Sequence, residues 1–426
     1  MRQLHAYPCT ATGEFMRILV LDGNQNQAVA CVRSLAAKGH RVFVGNTSGW
    51  SKAGWSRSCA GQFVYPSPRD GNRLITCLAD MVRSEPGTLI VPMSDATTLM
   101  ISANRDALLQ AGAKLVMPAH EDVLRASDKS YTTKLAQSLG IAVPHSWVIS
   151  SAGEAREHAA KLPYPVVLKP RSSEEQGSSG ATQSTGRPRY ASTADQFLSA
   201  FDELHKRSSS ILVQEFIQGG GTGYFALMSK GEMRGEFAHR RIRDVHPTGS
   251  GSAVRVSVRP DPKLREASLA ILKALNWHGV AMVEFRQRPD GEFVFLEVNG
   301  RFWNSLPLAC YAGADFPAGV AEIAEHGDAA PLSPYKTDVR CRWLLGDFRH
   351  LAEVWRGAPA GYPGKFPGRL STLLHVLTPV PGTYHDNFQL ADPLPELGDW
   401  LSLAQRAFEK KKPKERLNAE GRYSHS

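Results

Sequence analysis

The sequence has few of the features that mark secreted, membrane-spanning or disulfide-bonded proteins. None of its apolar runs approaches the roughly 18 residues of a membrane span, and residues 1–15 lack the apolar core of a signal peptide. The six cysteines have no CxxC spacing, which argues against a zinc site or a disulfide framework and for a reducing compartment. We therefore expect a cytoplasmic protein without a membrane span. The cysteines are Cys9, Cys31, Cys59, Cys77, Cys310 and Cys341.

Several fingerprints of nucleotide binding and covalent catalysis are also missing. The turn after the first apolar run, residues 22–25, lacks the glycines of GxGxxG, so a dinucleotide site of that kind is not supported. The chain has no GxxxxGKS/T phosphate loop, no nucleophile elbow and no Cys/His signature. The sequence thus gives no sign of a protein nucleophile.

The positive charge has a local origin. Of the formal net charge of +9, residues 406–426 contribute +4, because they carry seven Lys and Arg against three Glu. A basic tail is usually a solvated chain end, and the sequence shows no stripe of interleaved aromatic and basic residues. We expect no nucleic-acid partner. A basic nucleic-acid binder would instead show salt-dependent DNA affinity that is lost with residues 406–426.

The first part of the chain alternates short apolar runs with helical patterns, which predicts a parallel sheet covered by helices and an α/β class. The 426 residues, 42% hydrophobic and 21% charged, are enough for two or three domains with their own cores. Met16 is a candidate start, because the first strand begins directly after it. The predicted strands are 17–21, 41–45, 62–65, 88–92 and 114–118, and the predicted helices are 27–38, 72–84 and 96–110.

The stretch 284–301 carries the most information about chemistry. Residues 280–287 and 292–298 are rich in Val, Phe and Met and flank a Pro-Asp-Gly-Glu turn, which predicts a β-hairpin. A two-residue loop or a symmetric four-residue loop pairs Glu284 with Glu297 and places Asn299 beside Glu297. Phe293 and Phe295 fall on the face of Glu297, which argues that this face is not simply solvated.

Two facing carboxylates repel each other unless something compensates. Mg²⁺ takes carboxylate oxygens and is usually held by one or two carboxylates together with substrate phosphates. We interpret Glu284, Glu297 and Asn299 as a Mg²⁺ site, with Mn²⁺ as the alternative metal. The competing interpretation is a solvated hairpin face with two glutamates and no function.

Cations and small residues precede the hairpin. Lys129 lies in the first turn of a predicted helix, where a cation opposes the helix macrodipole unless an anion is bound nearby. Lys169 ends an apolar strand, where a lysine is rarely buried without a partner. The small-residue loop 172–180 suits phosphate through its backbone N–H groups, although such loops are often only flexible. Seven basic residues between 239 and 259 are either one exposed strand or a cluster that binds carboxylate or phosphate; they are His239, Arg240, Arg241, Arg243, His246, Arg255 and Arg259.

Together with Gln-Glu-Phe-Ile at 214–217, these motifs resemble, in order and spacing, the ATP-grasp superfamily over residues 17 to about 327. The continuation Arg-Phe-Trp-Asn-Ser-Leu-Pro-Leu at 301–308 is similar to the carbamoyl-phosphate-synthase-like branch of carboxylate–amine ligases. The resemblance implies an N-terminal extension (1–15), a pre-ATP-grasp α/β domain (16–118) and a two-subdomain ATP-grasp domain of α+β character (119–330). Its lid subdomain would span about 147–215, and a C-terminal extension with the basic tail would span 331–426.

The resemblance also implies a role for each motif residue. Some hold the nucleotide, some the metal and some the reacting groups. It assigns Lys129 and Lys169 to the ATP phosphates, Ser178, Ser179 and Gly180 to a phosphate-covering loop, Glu215, Phe216 and Ile217 to adenine, Glu284, Glu297 and Asn299 to Mg²⁺, and Arg301 and Arg255 to the transferred phosphate or the substrate carboxylate.

The sequence departs from the family pattern at two places. Residues 221–224 lack the acidic side chain that often binds the ribose hydroxyls, so the ribose contacts stay unassigned. Gly300 stands where Pro is usual, which loosens the backbone between Asn299 and Arg301.

The implied activity is an ATP- and Mg²⁺-dependent carboxylate–amine ligase that works through an acylphosphate and releases ADP and phosphate. Its partners would be a small-molecule carboxylate and an amine or other nucleophile, and a homodimer is compatible with the family. One alternative is a catalytically weak ATP-binding sensor or scaffold, motivated by the two departures. Another is a bicarbonate-using carboxylase or carbamoyl-phosphate-type enzyme, ranked lower because we see no linked glutaminase or biotin-carrier segment.

Overall fold

The computed structural model describes residues 15–70, 72–172, 174–176, 182–184 and 188–411. Within these ranges, none of the helices combines the length and the apolar character needed to cross a bilayer. The cysteines described there have free thiols, as the scattered spacing predicted; they are Cys31, Cys59, Cys77, Cys310 and Cys341.

The N-terminal part is a four-stranded parallel sheet covered by helices. Its elements are β1 (Arg17–Val20), α1 (Asn26–Ala37), β2 (Arg41–Asn46), β3 (Gly61–Val64), α2 (Arg73–Arg83), β4 (Leu89–Val91), α3 (Asp95–Ala103) and α4 (Arg105–Gln110). The strand order is β3-β2-β1-β4, with β1 parallel to both β2 and β4. The apolar run of β1 is buried on both faces, as is usual for a strand between helical layers. The α/β class predicted from the alternating pattern is confirmed.

One predicted strand of this part is wrong. Residues 114–118 contribute a single bridge, between Lys114 and Leu89. Leu115 and Met117 are buried in the core under this sheet, and Pro118 has no N–H to continue a ladder. The run is therefore apolar because it packs into the core, and it leaves the sheet after its first residue.

The central part begins with two helices and an antiparallel sheet. Its elements are α5 (His120–Ser127), α6 (Lys129–Ser138), β5 (Ser146–Ile149), α7 (Ala152–Ala159), β6 (Val166–Pro170), β7 (Glu174–Gln176), β8 (Thr182–Ser184), β9 (Arg189–Ala191), α8 (Ala194–His205) and β10 (Ile211–Glu215). Strands β5, β10, β6 and β9 form one sheet in that order. Alternation along β6 buries Val166 and Leu168 in the core with α7 and α8, while Val167 and Lys169 line the cavity on the other face.

A seven-stranded sheet forms the other half of the central part. Its elements are β11 (Gly220–Ser229), β12 (Glu232–Arg243), β13 (Val254–Val258), α9 (Pro262–Ala274), β14 (Gly279–Gln287), β15 (Phe293–Asn299), α10 (Leu306–Ala312), α11 (Phe316–His326) and β16 (Arg340–Arg342). A core that includes Trp277, Phe285 and Phe295 covers one face of the β14–β15 end. The other face of that end is polar and lines the main cavity.

The C-terminal segment completes this sheet. It contains α12 (Leu344–Arg356), α13 (Arg369–Leu377), β17 (Tyr384–His385) and α14 (Leu394–Lys411). Strand β16 pairs with β13, and β17 pairs with β16 at the edge, so that the order is β15-β14-β11-β12-β13-β16-β17. The segment therefore joins the central sheet through backbone hydrogen bonds rather than only packing on its surface.

Candidate active site

The predicted hairpin forms and pairs the two glutamates. Strands β14 and β15 are antiparallel, and Glu284 lies directly opposite Glu297, as the sequence predicted. Asn299 pairs with Met282, two residues from Glu284, so that its side chain lies on the same face as both glutamates. Three oxygen-bearing side chains therefore converge on one face of the hairpin.

The turn of the hairpin differs from the predicted one. Its loop has three residues, 289–291, and is closed by a hydrogen bond of 2.8 Å from the Arg288 N–H to the Glu292 carbonyl. Gly291 adopts the positive φ of 91° that a three-residue hairpin loop requires. Neither the two-residue nor the four-residue loop is formed, and the pairing near the turn is displaced by one residue.

A β-bulge at Leu296 restores the predicted pairing at the glutamates. The register passes from Phe285 opposite Phe295 to the glutamate pair, which leaves Leu296 as the extra residue. A bulge interrupts the alternation of faces. The prediction that Phe293 and Phe295 share the face of Glu297 is therefore wrong. Phe295 is fully buried on the opposite face, where its ring lies 5.7 Å from that of Phe285.

Each facing carboxylate has its own cation. Lys129 Nζ lies 3.4 Å from Glu297 Oε2, and Arg241 Nη2 lies 2.6 Å from Glu284 Oε1. Burial raises the pKa of Glu297, but the ammonium groups of Lys129 and Lys169 outweigh it and hold that pKa below its ordinary value. Each of the two facing carboxylates therefore lies beside a cation that attracts its negative charge.

The start of α6 positions Lys129. Asp128 caps α6, because its side chain accepts hydrogen bonds from the N–H groups of Ser130 and Tyr131. This cap fixes the first turn, in which Lys129 extends toward Glu297. The anion expected beside this lysine is thus present in the protein itself.

Lys169 approaches the same carboxylate from the other sheet. Its Nζ donates to Gln214 Oε1 at 3.1 Å. Burial lowers the pKa of Lys169 to about 8, although the charge of Glu297 acts in the opposite direction. The two lysines and the hairpin glutamates therefore face one another across the space between the two sheets.

The residues predicted to hold adenine follow β10. Glu215 lies 3.4 Å from Arg288 of the hairpin, so the strand end is tied to the second sheet. The Phe216 N–H donates to the Pro165 carbonyl at 3.0 Å, and its ring packs against Tyr190 at 6.2 Å. Glu215, Phe216 and Ile217 all line the cavity.

Arg301 leaves β15 toward the N-terminal part. Its guanidinium forms a fork on Asp95, with Nε to Oδ1 at 2.8 Å and Nη2 to Oδ2 at 3.2 Å. Nη2 also donates to Asn299 Oδ1 at 3.3 Å. Asp95, the first residue of α3 after β4, thus orients a predicted site arginine from the N-terminal part of the chain.

One cavity of about 1130 Å³ connects these groups between the two sheets. The predicted residues Ser178, Ser179 and Gly180 lie outside the described residues. The predicted site residues that line the cavity are Lys129, Lys169, Glu215, Phe216, Ile217, Glu284, Glu297, Asn299 and Arg301.

Comparison with known proteins agrees with this geometry. Residues 210–346 match the family model described as ATP-grasp in the biosynthetic pathway with Ter operon. The chain also superposes on the crystal structure of L-amino acid ligase from Bacillus licheniformis with a TM-score of 0.57 at 15% identity, covering 74% of this chain and 75% of that one. This chain has an ATP-grasp fold. The resemblance drawn from the sequence is confirmed.

Two curated proteins are similar to parts of this chain. Vancomycin/teicoplanin A-type resistance protein VanA of Enterococcus faecium is 29% identical over 187 residues, covering 40% of this chain and 51% of the relative. The N-terminal section of the carbamoyl phosphate synthase large chain of Methanopyrus kandleri is 24% identical over 261 residues, covering 58% and 44%. This chain thus spans about half the length of the curated relatives it matches.

Arg255 does not lie where the ATP-grasp resemblance placed it. It is fully buried outside the cavity, and its Nη2 lies 2.5 Å from Asp386 Oδ1 of the C-terminal segment. Asn26 and Cys341 donate to the same carboxylate at 3.0 and 3.1 Å. The sequence does not reveal this position of Arg255, because Asp386, which covers this end of the sheet, lies 131 residues further along the chain.

Arg241 is the site arginine that sequence reasoning did not assign. It lies opposite Arg255 on the neighbouring strand β12, lines the cavity and contacts Glu284. Both arginines belong to the basic cluster and are direct strand partners, so they differ only in what packs against them: Glu284 contacts Arg241, whereas Asp386 contacts Arg255.

Gly221 makes room for this arginine. A Cβ there would lie 2.5 Å from Arg241 Nη1. Residue 221 belongs to the stretch that lacks the acidic ribose ligand, and its lack of a side chain leaves space for the guanidinium of Arg241.

Gly300 is explained by packing. A Cβ at this residue would lie 2.4 Å from the indole ring of Trp277. Trp277 is almost completely buried and donates from Nε1 to the Val280 carbonyl at 3.0 Å. Glycine in place of the usual Pro therefore leaves space for the Trp277 ring, which packs under the hairpin.

Proposed function

We propose that the protein is an ATP-dependent ligase that joins a small-molecule carboxylate to an amine through an acylphosphate and releases ADP and inorganic phosphate. The observation that carries this proposal is the convergence of Glu284, Glu297, Lys129 and Lys169 on one cavity between two sheets. The L-amino acid ligase of similar fold supports the reaction class, although 15% identity establishes the fold alone.

The proposed reaction requires positive charge in the site. A carboxylate that attacks the γ-phosphoryl group of ATP approaches a polyanion, so the site must neutralise spread negative charge and exclude water. Seven Lys and Arg side chains line the cavity and can supply this positive charge: Lys129, Lys169, Arg189, Arg241, Arg286, Arg301 and Arg356.

The donor set fits Mg²⁺. Glu284, Glu297 and Asn299 offer hard oxygen ligands, and each carboxylate lies beside a cation. Among the described residues no group of three or more His, Cys, Asp and Glu side chains could hold a metal. Two carboxylates leave positions on the ion for substrate phosphates, which is the usual way in which proteins bind Mg²⁺. When bound, Mg²⁺ or Mn²⁺ would neutralise phosphate charge.

Other residues of the cavity would bind the nucleotide and orient the reacting groups. Glu215, Phe216 and Ile217 would hold adenine, and Lys129 and Lys169 would bind the phosphates. Arg301, held by Asp95, would orient the transferred phosphoryl group or the carboxylate. A carboxylate oxygen then attacks the γ-phosphorus, ADP leaves, the amine nitrogen attacks the acyl carbon, and phosphate leaves.

The pKa of Lys169 makes nucleotide binding pH-dependent. A phosphate ligand needs the ammonium form, which predominates below pH 8 and is lost above it, because the pKa is about 8. We expect the Kd of a non-hydrolysable ATP analogue to rise by up to about tenfold between pH 7 and pH 9. Calorimetric titration of the wild type measures this change.

The matched variant for this prediction is Lys169→Arg. A guanidinium stays charged throughout the range, so the Kd of this variant should change little with pH. A wild-type Kd that does not vary between pH 7 and 9 would remove Lys169 from the phosphate site.

A second candidate function uses bicarbonate as the carboxylate. The match to a carbamoyl phosphate synthase section favours it, and the phosphoryl chemistry would be the same. It differs in requiring no larger carboxylate substrate.

A substrate screen tests both candidates. Purified protein with ATP and Mg²⁺ is incubated with pairs of the twenty amino acids, and separately with bicarbonate and ammonia, while ADP and phosphate are measured. We expect equal amounts of ADP and phosphate that depend on one carboxylate and one amine. ADP release with bicarbonate alone would favour the second candidate. Tight ATP binding without ADP release under any condition would leave a nucleotide-binding sensor.

A further inference from the structure

The C-terminal extension (331–426) forms one wall of the cavity. The last turns of α12 and the segment after it line the cavity through Glu353, Arg356, Gly357, Pro359, Ala360 and Phe366. Ser192, which follows β9, donates to the Gly361 carbonyl at 3.0 Å, and the Tyr362 ring lies 5.8 Å from that of Phe216. This wall therefore contacts the chain after β9 and one of the residues predicted to hold adenine.

The cavity is larger than one ligand requires. Its volume of about 1130 Å³ exceeds the roughly 300–1,000 Å³ of typical small-molecule pockets. The residues proposed for ATP and metal lie on the strands β6, β10, β14 and β15 and at the start of α6. The wall from the extension faces a different group, residues 246 and 248–252, which also line the cavity. This part of the cavity is thus lined by residues other than those proposed for ATP and metal.

A histidine–carboxylate pair lies in this part of the cavity. His246 Nδ1 and Glu353 Oε1 are 2.7 Å apart, and their side chains are 26% and 30% exposed. His246 belongs to the segment between β12 and β13, whereas Glu353 lies on α12 of the extension. Because Nδ1 bonds to the carboxylate, Nε2 is the nitrogen whose lone pair accepts a proton.

Contacts on both sides hold this segment in place. Arg286 of the hairpin donates from Nη2 to the Thr248 carbonyl at 3.3 Å, and His350 Nδ1 lies 2.8 Å from the Asp244 carbonyl. The Asp244 carboxylate lies 3.7 Å from Arg241, which contacts Glu284. Two ion pairs of Arg241, one with Asp244 and one with Glu284, therefore link the segment that carries His246 to the proposed metal site.

We propose that His246 is the general base for the incoming amine and that Glu353 is its positioning residue, so that the C-terminal extension completes the amine subsite. This inference rests on the proposed ligase function. As the amine nitrogen bonds to the acyl carbon, one N–H proton passes to His246 Nε2. The acyl C–O bond then breaks, and its electron pair leaves with phosphate. The carboxylate of Glu353 stabilises the imidazolium that forms.

The alternative is that the pair only ties the extension to the sheet. Two variants separate these roles: His246→Asn removes the base, and Glu353→Gln keeps a hydrogen bond but removes the charge. His326→Asn is the matched control, because His326 pairs with Glu325 on α11 at 3.7 Å and is not a cavity-lining residue.

The assay uses the carboxylate found in the substrate screen, with either its amine partner or hydroxylamine as nucleophile. For His246→Asn we expect amide formation to fall by about 10²- to 10⁴-fold, and for Glu353→Gln by a smaller factor. Hydroxylamine is largely unprotonated at neutral pH and needs little base assistance, so it should reduce the deficit of His246→Asn at least about tenfold. Thermal unfolding of each variant is measured in parallel.

The outcomes separate this inference from the proposed function. A wild type that forms neither amide nor hydroxamate with any carboxylate removes the proposed function and the inference with it. Normal wild-type activity together with amide formation by His246→Asn equal to that of His326→Asn removes the inference alone. An equal loss with amine and hydroxylamine would show that the pair is only structural, and the inference would again fail.

Discussion

Glu297→Gln is expected to reduce carboxylate-dependent ADP formation by at least about 10²- to 10³-fold. The substitution keeps the size of the side chain but removes the charge that faces Glu284 and pairs with Lys129 at 3.4 Å. Mg²⁺ prefers charged oxygen ligands, and the cation of Lys129 would remain without its partner. Initial rates over a range of Mg²⁺ concentrations measure the effect, and high Mg²⁺ should restore part of the activity.

Glu292→Gln is the matched control for this variant. Glu292 lies at the end of the hairpin loop, where it pairs with Arg288 at 2.6 Å and is 47% exposed. Its removal should change the rate by less than about twofold, because exposed pairs contribute little. Near-normal phosphate release by Glu297→Gln would overturn the metal assignment.

Arg255→Met is expected to lower the free energy of unfolding by about 3–5 kcal/mol. The substitution leaves the carboxylate of Asp386 buried beside Cys341 without its cation. An uncompensated buried charge is costly because burial removes its hydration. Urea unfolding followed by circular dichroism measures the shift of the midpoint.

Two further variants make this prediction specific. Arg83→Met removes a pair with Asp80 in which both side chains are more than 60% exposed, and its effect should stay within about 1 kcal/mol. Adding Asp386→Asn to Arg255→Met should recover part of the lost stability, since the unpaired charge is then absent. Unchanged stability with lost turnover would instead return Arg255 to a catalytic role.

The sequence predicted the pairing of the hairpin glutamates but not the loop and the bulge that produce it. Alternating apolar residues around Pro-Asp-Gly predicted the two strands, and arithmetic from the turn predicted that Glu284 opposes Glu297. The pairing is confirmed, but the loop has three residues and a bulge at Leu296 compensates for the difference. A one-residue slip exchanges the two faces of a strand, and no local pattern in the sequence specifies the bulge.

The sequence did not predict which arginine of the basic cluster faces the cavity. Arg241 and Arg255 lie in one basic cluster and have the same chemistry, yet one contacts Glu284 in the cavity and the other contacts Asp386 in the core. The difference depends on which segment of the chain packs against each arginine. The segment that contacts Arg255 is more than a hundred residues away, so local sequence cannot identify it.

The sequence by itself determined the elements whose signals are local. These are the alternating α/β pattern, the apolar strand that ends in Lys169, and the hairpin with its facing acids. Each depends on residues a few positions apart, because helix and strand periodicity and turn chemistry are short-range effects. The sequence also identified the ATP-grasp order of motifs.

Only the tertiary structure decided which side chains meet across those elements. It paired Arg301 with Asp95, Arg241 with Glu284, and His246 with Glu353 of the C-terminal extension. These contacts join residues that are 43 to 206 positions apart. The packing of whole sheets and helices brings them together, and that packing minimises exposed apolar surface over the entire chain rather than within any one segment.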